Sequence, residues 1–396
     1  MRTVIEVDGL FDGTRVIANA AVVIEDGAVL WSGARRSLPR TPRGERSETV
    51  RAPGSFLLPG LVNCHAHLTL DGGPDIASEA RQSDATAALK AFRNARNSLH
   101  AGVTTVRDLG ANGAMVVDLG RAIARGAVEG PRIVAAAKGI TTTGGHGFEV
   151  GRQADGADEV RKAVREQLFA GAGAIKLFST GGVLGDGAHP EVSQFTPEET
   201  RAAVEEAHKA GVRVTTHAHA GEGVRIAAEA GVDSIEHGTL MDAKLVRLLK
   251  ERGVAYVPTR SALDAILANA GRLDPGIVER ARQVADRHLE SIDLARRAGV
   301  TIATGTDSGT PFNRHEDFAR ELDLLVEAGL TRLAALVAAT RVAADVVGLP
   351  RAGRLVAGSW ADLLFVTGDP LRDLAPLHAP KGVWVGGAAV AQGARG

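Results

Sequence analysis

The chain has 396 residues, with 46 Lys plus Arg against 47 Asp plus Glu and a formal net charge of −1 at pH 7. That balance argues against a mainly electrostatic partner such as nucleic acid or an anionic membrane surface. The single cysteine, Cys64, excludes an intrachain disulfide and fits a reducing compartment.

The N-terminal stretch MRTVIEVDGLFDGTRV scatters charges where a signal peptide would carry an apolar run, and no stretch approaches a membrane span in length. A soluble cytoplasmic protein is the expectation. The first segments, VIEVDGLFDGT, AVVIEDGAVLWSG and ETVRAPGSFLLPG, pair apolar runs with Asp-Gly or Pro-Gly turns and read as short strands. The charged segment 34–48 has no hydrophobic period and reads as a surface loop.

From Leu61 the rhythm changes. Short β-branched runs, at 61–65, 103–110, 132–137, 174–179, 212–217, 233–238, 254–259 and 300–307, alternate with amphipathic stretches such as PEETRAAVEEAHKAG and DAKLVRLLKERG. Several of these stretches end in Ala-Gly or Arg-Gly before a Val-led strand, the pattern of a glycine C-cap. Eight strand–helix units match an α/β fold of the (β/α)8 TIM barrel type. An open doubly wound sheet is the structural rival, but no GxGxxG follows the first strand. The tail, with RLVAGSWADLLFVTGDP and KGVWVGGAAV, returns to strands and turns. The expected division is a barrel over 59–348 and a small β-sandwich domain built from 1–58 and 349–396.

Barrel active sites sit at the C-terminal ends of the strands. Polar groups fall there repeatedly: His65 and His67, Lys176, His217 and His219, His237, and Asp307. In HAH the two histidines lie two apart and share one strand face, as suits a divalent metal. Cys64 then points to the opposite face as a small core residue. Protonated Lys176 would repel a dication. It is either turned away and paired with an acid, or has reacted with CO2 to give an anionic carbamate able to bridge two metals. Buried lysines are rare, which favours the carbamate.

Taken together, LLPGLVNCHAHL, TTTGGHG, IKLFSTGGV, THAHAGEGV, SIEHGT, ATGTDSG and the closing WADLLFV resemble the amidohydrolase superfamily over nearly the whole chain. The resemblance is to the branch with Xaa-Pro dipeptidases, ochratoxinase and imidazolonepropionase-like proteins. It implies a binuclear centre with a carboxylated lysine. His65, His67 and Asp307 would hold one metal and His217 and His237 the other, with Lys176 between them. His217 stands 20 residues before His237 and 41 after Lys176, spacings similar to those of binuclear members. His219 would then line the substrate pocket, and an exchange of roles between His217 and His219 stays open. His and oxygen ligands fit Zn2+ best, with Mn2+, Co2+ and Ni2+ as alternatives.

Two metals around a water lower its pKa enough to make hydroxide near neutral pH, and one of them polarises the scissile carbonyl. Asp307 would take the proton and hand it to the leaving amine. For substrate contact the candidates are His146 on the glycine-rich loop, His219, Tyr256 and Arg260. The Tyr256 hydroxyl and the Arg260 guanidinium are suited to a carboxylate, although related sequences tend to be apolar at the Arg260 position. His189 belongs to the loop GDGAHPEVSQF and reads as pocket mouth or solvated surface, while His100, His208, His288, His315 and His378 read as structural.

The expected function is hydrolysis of an amide C–N bond in a small-molecule substrate, an N-acyl amino acid or Xaa-Pro-type dipeptide. The alternatives are an imidazolonepropionase-like cyclic amidohydrolase or deaminase, and an esterase or lactonase on the same site. Lys176 counts against the deaminase, which usually works with one metal. A catalytically dead scaffold would have lost ligands, and none of the six is missing. Members of the superfamily often assemble, so a homo-oligomer is admitted.

Overall fold

The computed structural model describes residues 2–42, 46–184 and 189–390. Residues 43–45 of the expected surface loop, 185–188 of the His189 loop, and 391–396 of the terminal segment lie outside that range.

The chain is mixed α/β. Its terminal segments meet in one seven-stranded sheet. The long strand Ser47–Pro59 is central to it. It pairs parallel with Arg2–Phe11 on one side and antiparallel with Leu363–Thr367 on the other. The sheet has its own core, in which Ile5, Val22, Leu57, Leu363 and Phe365 pack together. These strands form one continuous order rather than two separate ladders.

Between the terminal segments, parallel strands alternate with helices. Leu61–Ala66, Val103–Asp108 and Arg132–Ala135 make a three-stranded sheet. A six-stranded sheet includes Ala174–Phe178, Arg213–Ala218, Ser234–His237 and Ala255–Val257 side by side in sequence order. Helix ends follow the local signals. Thr196 and Glu199 form a capping box around Pro197 at the start of Pro197–Lys209. Gly231 and Gly299 close their helices in the left-handed region, at φ 90° and 69°, where a side chain would be strained.

The two parallel sheets are not joined into one continuous ladder. Across the first gap, the Gly173 amide donates to the Ala135 carbonyl over 2.8 Å. Across the second lies the expected eighth strand, and here the structure departs from the sequence reading. Residues 300–307 form no continuous strand: they make an isolated bridge from Ile302 to Tyr256, with another from Ser308 to Ala66 just beyond, and scattered backbone bonds, among them the Thr306 and Asp307 amides to the His65 carbonyl at 3.2 and 2.8 Å. A side chain supplements these bonds. Asn63 Oδ1 accepts both the His65 and the Thr306 amides at 3.1 Å, and its Nδ2 donates to Thr306 Oγ1 at 2.8 Å. Among the described residues no helix is long and apolar enough to cross a membrane.

Candidate metal centre and active site

Strand alternation sorts the site residues from the core. Val62 and Cys64 pack against Ala343 and Val257, leaving Asn63 and His65 on the other face. Ile175 and Leu177 join the main core, so Lys176 turns away from it. His237 breaks the alternation at φ 71°, and Asp307 sits at φ 58°, both in the left-handed region. Such backbone costs about 1–3 kcal/mol per residue and marks positions held by their surroundings.

These turns bring His65, His67, His146, Lys176, His217, His219, His237 and Asp307 to the wall of one cavity of about 480 Å3. One ligand atom from each of His65, His67 and Asp307 lies within 4.8 Å of the others. The His217 and His237 rings are 4.4 Å apart, and the His237 ring is 5.0 Å from that of His65.

The hydrogen bonds fix which nitrogen of each ring is free. His65 Nδ1 meets the Glu236 carboxylate at 2.8 Å and His67 Nδ1 the Gly110 carbonyl at 3.1 Å. Both acceptors require an N–H, so Nε2 carries the lone pair on each ring. His217 reverses the sense: its Nε2 donates to the Gly181 carbonyl at 3.1 Å, leaving Nδ1 free. His237 Nδ1 contacts Thr259 Oγ1 at 2.7 Å, and that hydroxyl already donates to the Pro258 carbonyl. His237 Nδ1 is therefore the donor and Nε2 is free. All four imidazoles are held by one nitrogen; the other is free on His217 and His237 and faces Asp307 on His65 and His67, 3.2 Å away for His67, the arrangement that metal-ligating histidines adopt. His65 Nε2 is buried without a hydrogen bond, 3.3 Å from Asp307 Oδ1, so the residues present fit a divalent cation.

Electrostatics keep most of this set neutral. Burial pushes His65 down to about 4, helped by the Lys176 charge, and burial likewise takes His146 to about 4. Burial also drives His217 and His237 well below their ordinary value. His67 goes the other way: burial lowers it, but the Asp307 carboxylate outweighs that. Asp307 stays low because His65 and His67 outweigh its own burial. Lys176, 1 % exposed and without a salt-bridge partner among the described residues, is pushed by burial to about 8. Its neutral amine is thus far more populated than in an ordinary lysine.

Two expected substrate contacts need correcting. Tyr256 does not line the cavity; it is fully buried and its hydroxyl donates to the His237 carbonyl at 2.9 Å. Arg260 does not line it either. It opens the helix Arg260–Ala268, and its guanidinium is buried with Nε and Nη1 lacking partners. His146 and His219 do line the cavity, and His189 is exposed. Cys64 lies away from the site with its thiol pushed by burial to about 12. His208, His315 and His378 have structural partners, Asp233, Ser308 and Asp323.

Three residues that sequence reasoning passed over matter here. Glu236 is completely buried and accepts from His65, from Arg107 Nη2 at 2.7 Å, from Ser234 Oγ at 2.8 Å and from Thr215 Oγ1. Arg107 also donates to the Cys64 carbonyl at 2.6 Å, tying the charge pair to the ligand strand. An acid and a base inside parallel strands were the available signal. His288, expected to be structural, lines the cavity. It falls on the buried stripe Ala281, Val284, Ala285, Ser291, Ile292 of its helix, where an apolar residue belongs.

The amidohydrolase family model matches residues 56–390. Ochratoxinase from Aspergillus niger is 34% identical over 410 residues, covering 94% of this chain and 82% of that protein. An imidazolonepropionase from Salinispora tropica is 27% identical, covering 88% of this chain and 86% of its own. Among solved structures, a Xaa-Pro dipeptidase with methionine bound in its active site superposes with a TM-score of 0.89 at 31% identity, covering 99% of this chain and 100% of the other.

Proposed function

Because the chain belongs to the amidohydrolase family and is a hydrolase of C–N bonds, we propose that it cleaves the amide of an N-acyl amino acid or Xaa-Pro-type dipeptide at a binuclear metal centre. The observation that carries this reading is the set of four histidines with one nitrogen each held by the protein and the other free, facing Asp307 and a buried lysine. Ochratoxinase and the dipeptidase with an amino acid in its site support an amide whose leaving group is an amino acid.

In this reading the parallel strands and residues 301–308 constitute a (β/α)8 barrel over 59–348, with 1–58 and 349–396 as a second domain of small β-sandwich type. His65, His67 and Asp307 hold one cation and His217 and His237 the other. Lys176, as a carbamate, would add an anionic oxygen donor to this set, and its lowered pKa favours that reaction because only the neutral amine attacks CO2, releasing one proton to solvent. When bound, the cations, zinc by preference, supply a hydroxide nucleophile at neutral pH and polarise the scissile carbonyl. Asp307 takes up the proton released in the attack and returns it to the leaving nitrogen, which departs poorly as an anion. His146 and His219 orient the substrate from the cavity wall.

The test is an activity screen on the zinc- and bicarbonate-treated protein with N-acyl amino acids, dipeptides and lactones, alongside metal analysis. The expected result is C–N hydrolysis with close to two divalent ions per chain, abolished by chelation. Turnover by the metal-free protein, or turnover of lactones alone, would overturn the reading.

A further inference from the structure

One wall of the cavity carries polar atoms that the centre described above does not use. His288 is 1 % exposed, lines the cavity, and neither of its ring nitrogens has a hydrogen bond. The His237 and Pro258 carbonyls face the ring closely enough to favour its protonated form, without bonding geometry. Beside it, His219 keeps Nδ1 on Thr239 Oγ1 at 2.9 Å and leaves Nε2 buried and unpartnered. Behind it, the Arg260 guanidinium is 9 % exposed with Nε and Nη1 unpartnered, and its charge acts on His288.

Leaving a buried polar atom unpaired costs about 1–3 kcal/mol, so convergent orphans on a cavity wall are uncommon unless a ligand completes them. The sign of the neighbouring charge selects the ligand. The Arg260 guanidinium behind this wall favours an anion over a cation, only partly opposed by the buried Glu321 carboxyl, which accepts from the Arg260 and Ser261 amides and is pushed by burial to about 7. The lining also includes the apolar Leu184, Leu263, Ile266 and Ile277, with Asp274 and Arg280 beside Ile277. We propose that His288 is a substrate-binding residue which, with His219 Nε2 and with the charge of Arg260 behind it, forms the subsite for the carboxylate of an amino-acid leaving group. This rests on the amidase reading above and extends it: the substrate's amine half must be anionic beside an apolar side chain. His288 and His219 touch the carboxylate, whereas Arg260 is a positioning residue that acts through its field.

The experiment uses the zinc-loaded full chain and a matched pair of probes, L-leucine and isoamylamine, which differ only in the carboxylate. Calorimetry should show the wild type binding L-leucine at least about tenfold more tightly than isoamylamine, a hydrogen bond to a charged group being worth about 10- to 100-fold. His288→Leu should abolish that preference and raise KM for N-acetyl-L-leucine by about 10- to 100-fold with kcat nearly unchanged. His288→Gln, which keeps a donor, should restore part of the preference. Arg260→Met, which leaves the cavity lining intact, should weaken L-leucine binding and spare isoamylamine. A wild type without carboxylate preference overturns the subsite, as does an equal loss of both probes in the His288→Leu and Arg260→Met variants. If the preference is found and lost as described while no N-acyl amino acid is hydrolysed, the subsite stands and the amidase reading falls.

Discussion

Replacing Glu236 by Gln should both loosen the fold and weaken metal binding, by separable routes. The carboxylate is fully buried: burial alone would raise its pKa, but the Arg107 charge and the His65 hydrogen bond outweigh that and hold it at about 2, against an ordinary 4.5. With each pH unit worth about 1.4 kcal/mol, the folded state favours the ionised form by about 3 kcal/mol. Since the folded value lies below the unfolded one, that contribution is complete above pH 4.5 and disappears only as pH falls towards 2. At pH 7.5 the substitution therefore costs all of it and strands the Arg107 guanidinium without a counter-charge. Breaking buried pairs in this way costs about 3–5 kcal/mol, in agreement. Urea unfolding of the chelator-treated protein measures this. Zinc affinity, from competition with a chromophoric chelator, should fall about 10- to 100-fold because His65 loses the carboxylate that fixes its Nε2 lone pair towards the metal. Adding Arg107→Met should recover stability by removing the stranded charge, and should leave zinc affinity low. Wild-type stability and affinity in Glu236→Gln would refute the reasoning. Full recovery of both in the double variant would refute the orienting role.

Acid should destabilise the metal-free protein through its buried histidines. Burial holds His65 and His146 at about 4 and His219 at about 3, all below the ordinary 6.5, so the stability they contribute is present above pH 6.5 and lost on the way down. His67, raised by Asp307, and the Asp108 and Glu321 carboxyls, raised by burial to about 6 and about 7, have the opposite sign, but they are three groups against seven buried histidines held low. The urea midpoint should fall steeply between pH 6.5 and 4.5, and a flat profile there would contradict the neutral assignment. Lys176→Ala should lose bound metal and activity, with partial rescue by acetate or propionate standing in for the carbamate; retention of wild-type metal content and rate would exclude the bridge. Tyr256→Phe leaves the His237 carbonyl unpaired, so it should cost about 1–3 kcal/mol in urea unfolding with KM unchanged. A tenfold rise in KM at full stability would return the hydroxyl to substrate binding.

The features most legible in the sequence were those set by local physics. β-branched runs gave seven of the parallel strands, and Ala-Gly junctions gave helix ends at Gly231 and Gly299. The ligand-type residues were legible because strand ends repeat a pattern that random surface polarity does not. What stayed hidden depends on partners distant in sequence. Residues 300–307 have strand composition, yet they meet their neighbours through scattered backbone bonds and the side chain of Asn63, more than two hundred residues earlier, rather than a continuous ladder. Tyr256 at a strand end looks available until the His237 carbonyl claims its hydroxyl. Arg260 follows Thr259, which sits at φ 54° and turns the chain into a helix, a bend that composition does not encode. Glu236 drew no reading from the sequence because its role depends on Arg107 and His65, which close around it only in the fold.

Asn63 has a further consequence for how such a site can change over time. The segment carrying Asp307 is positioned by individual side chains: Asn63 on Thr306, Ser261 on the Thr306 carbonyl, and Asn313 on the Thr306 and Asp307 carbonyls. A ligand on a paired strand moves only if a whole register moves, which would turn its neighbours to the wrong face. Asp307 is tied to the His65 strand by its amide on the His65 carbonyl at 2.8 Å and by no continuous ladder. Single substitutions at 261 or 313 should therefore loosen its setting while the strand bearing His65 keeps its pairing, whereas Asn63 also holds the His65 amide. Among the proposed ligands, Asp307 is thereby the one whose placement depends least on strand register.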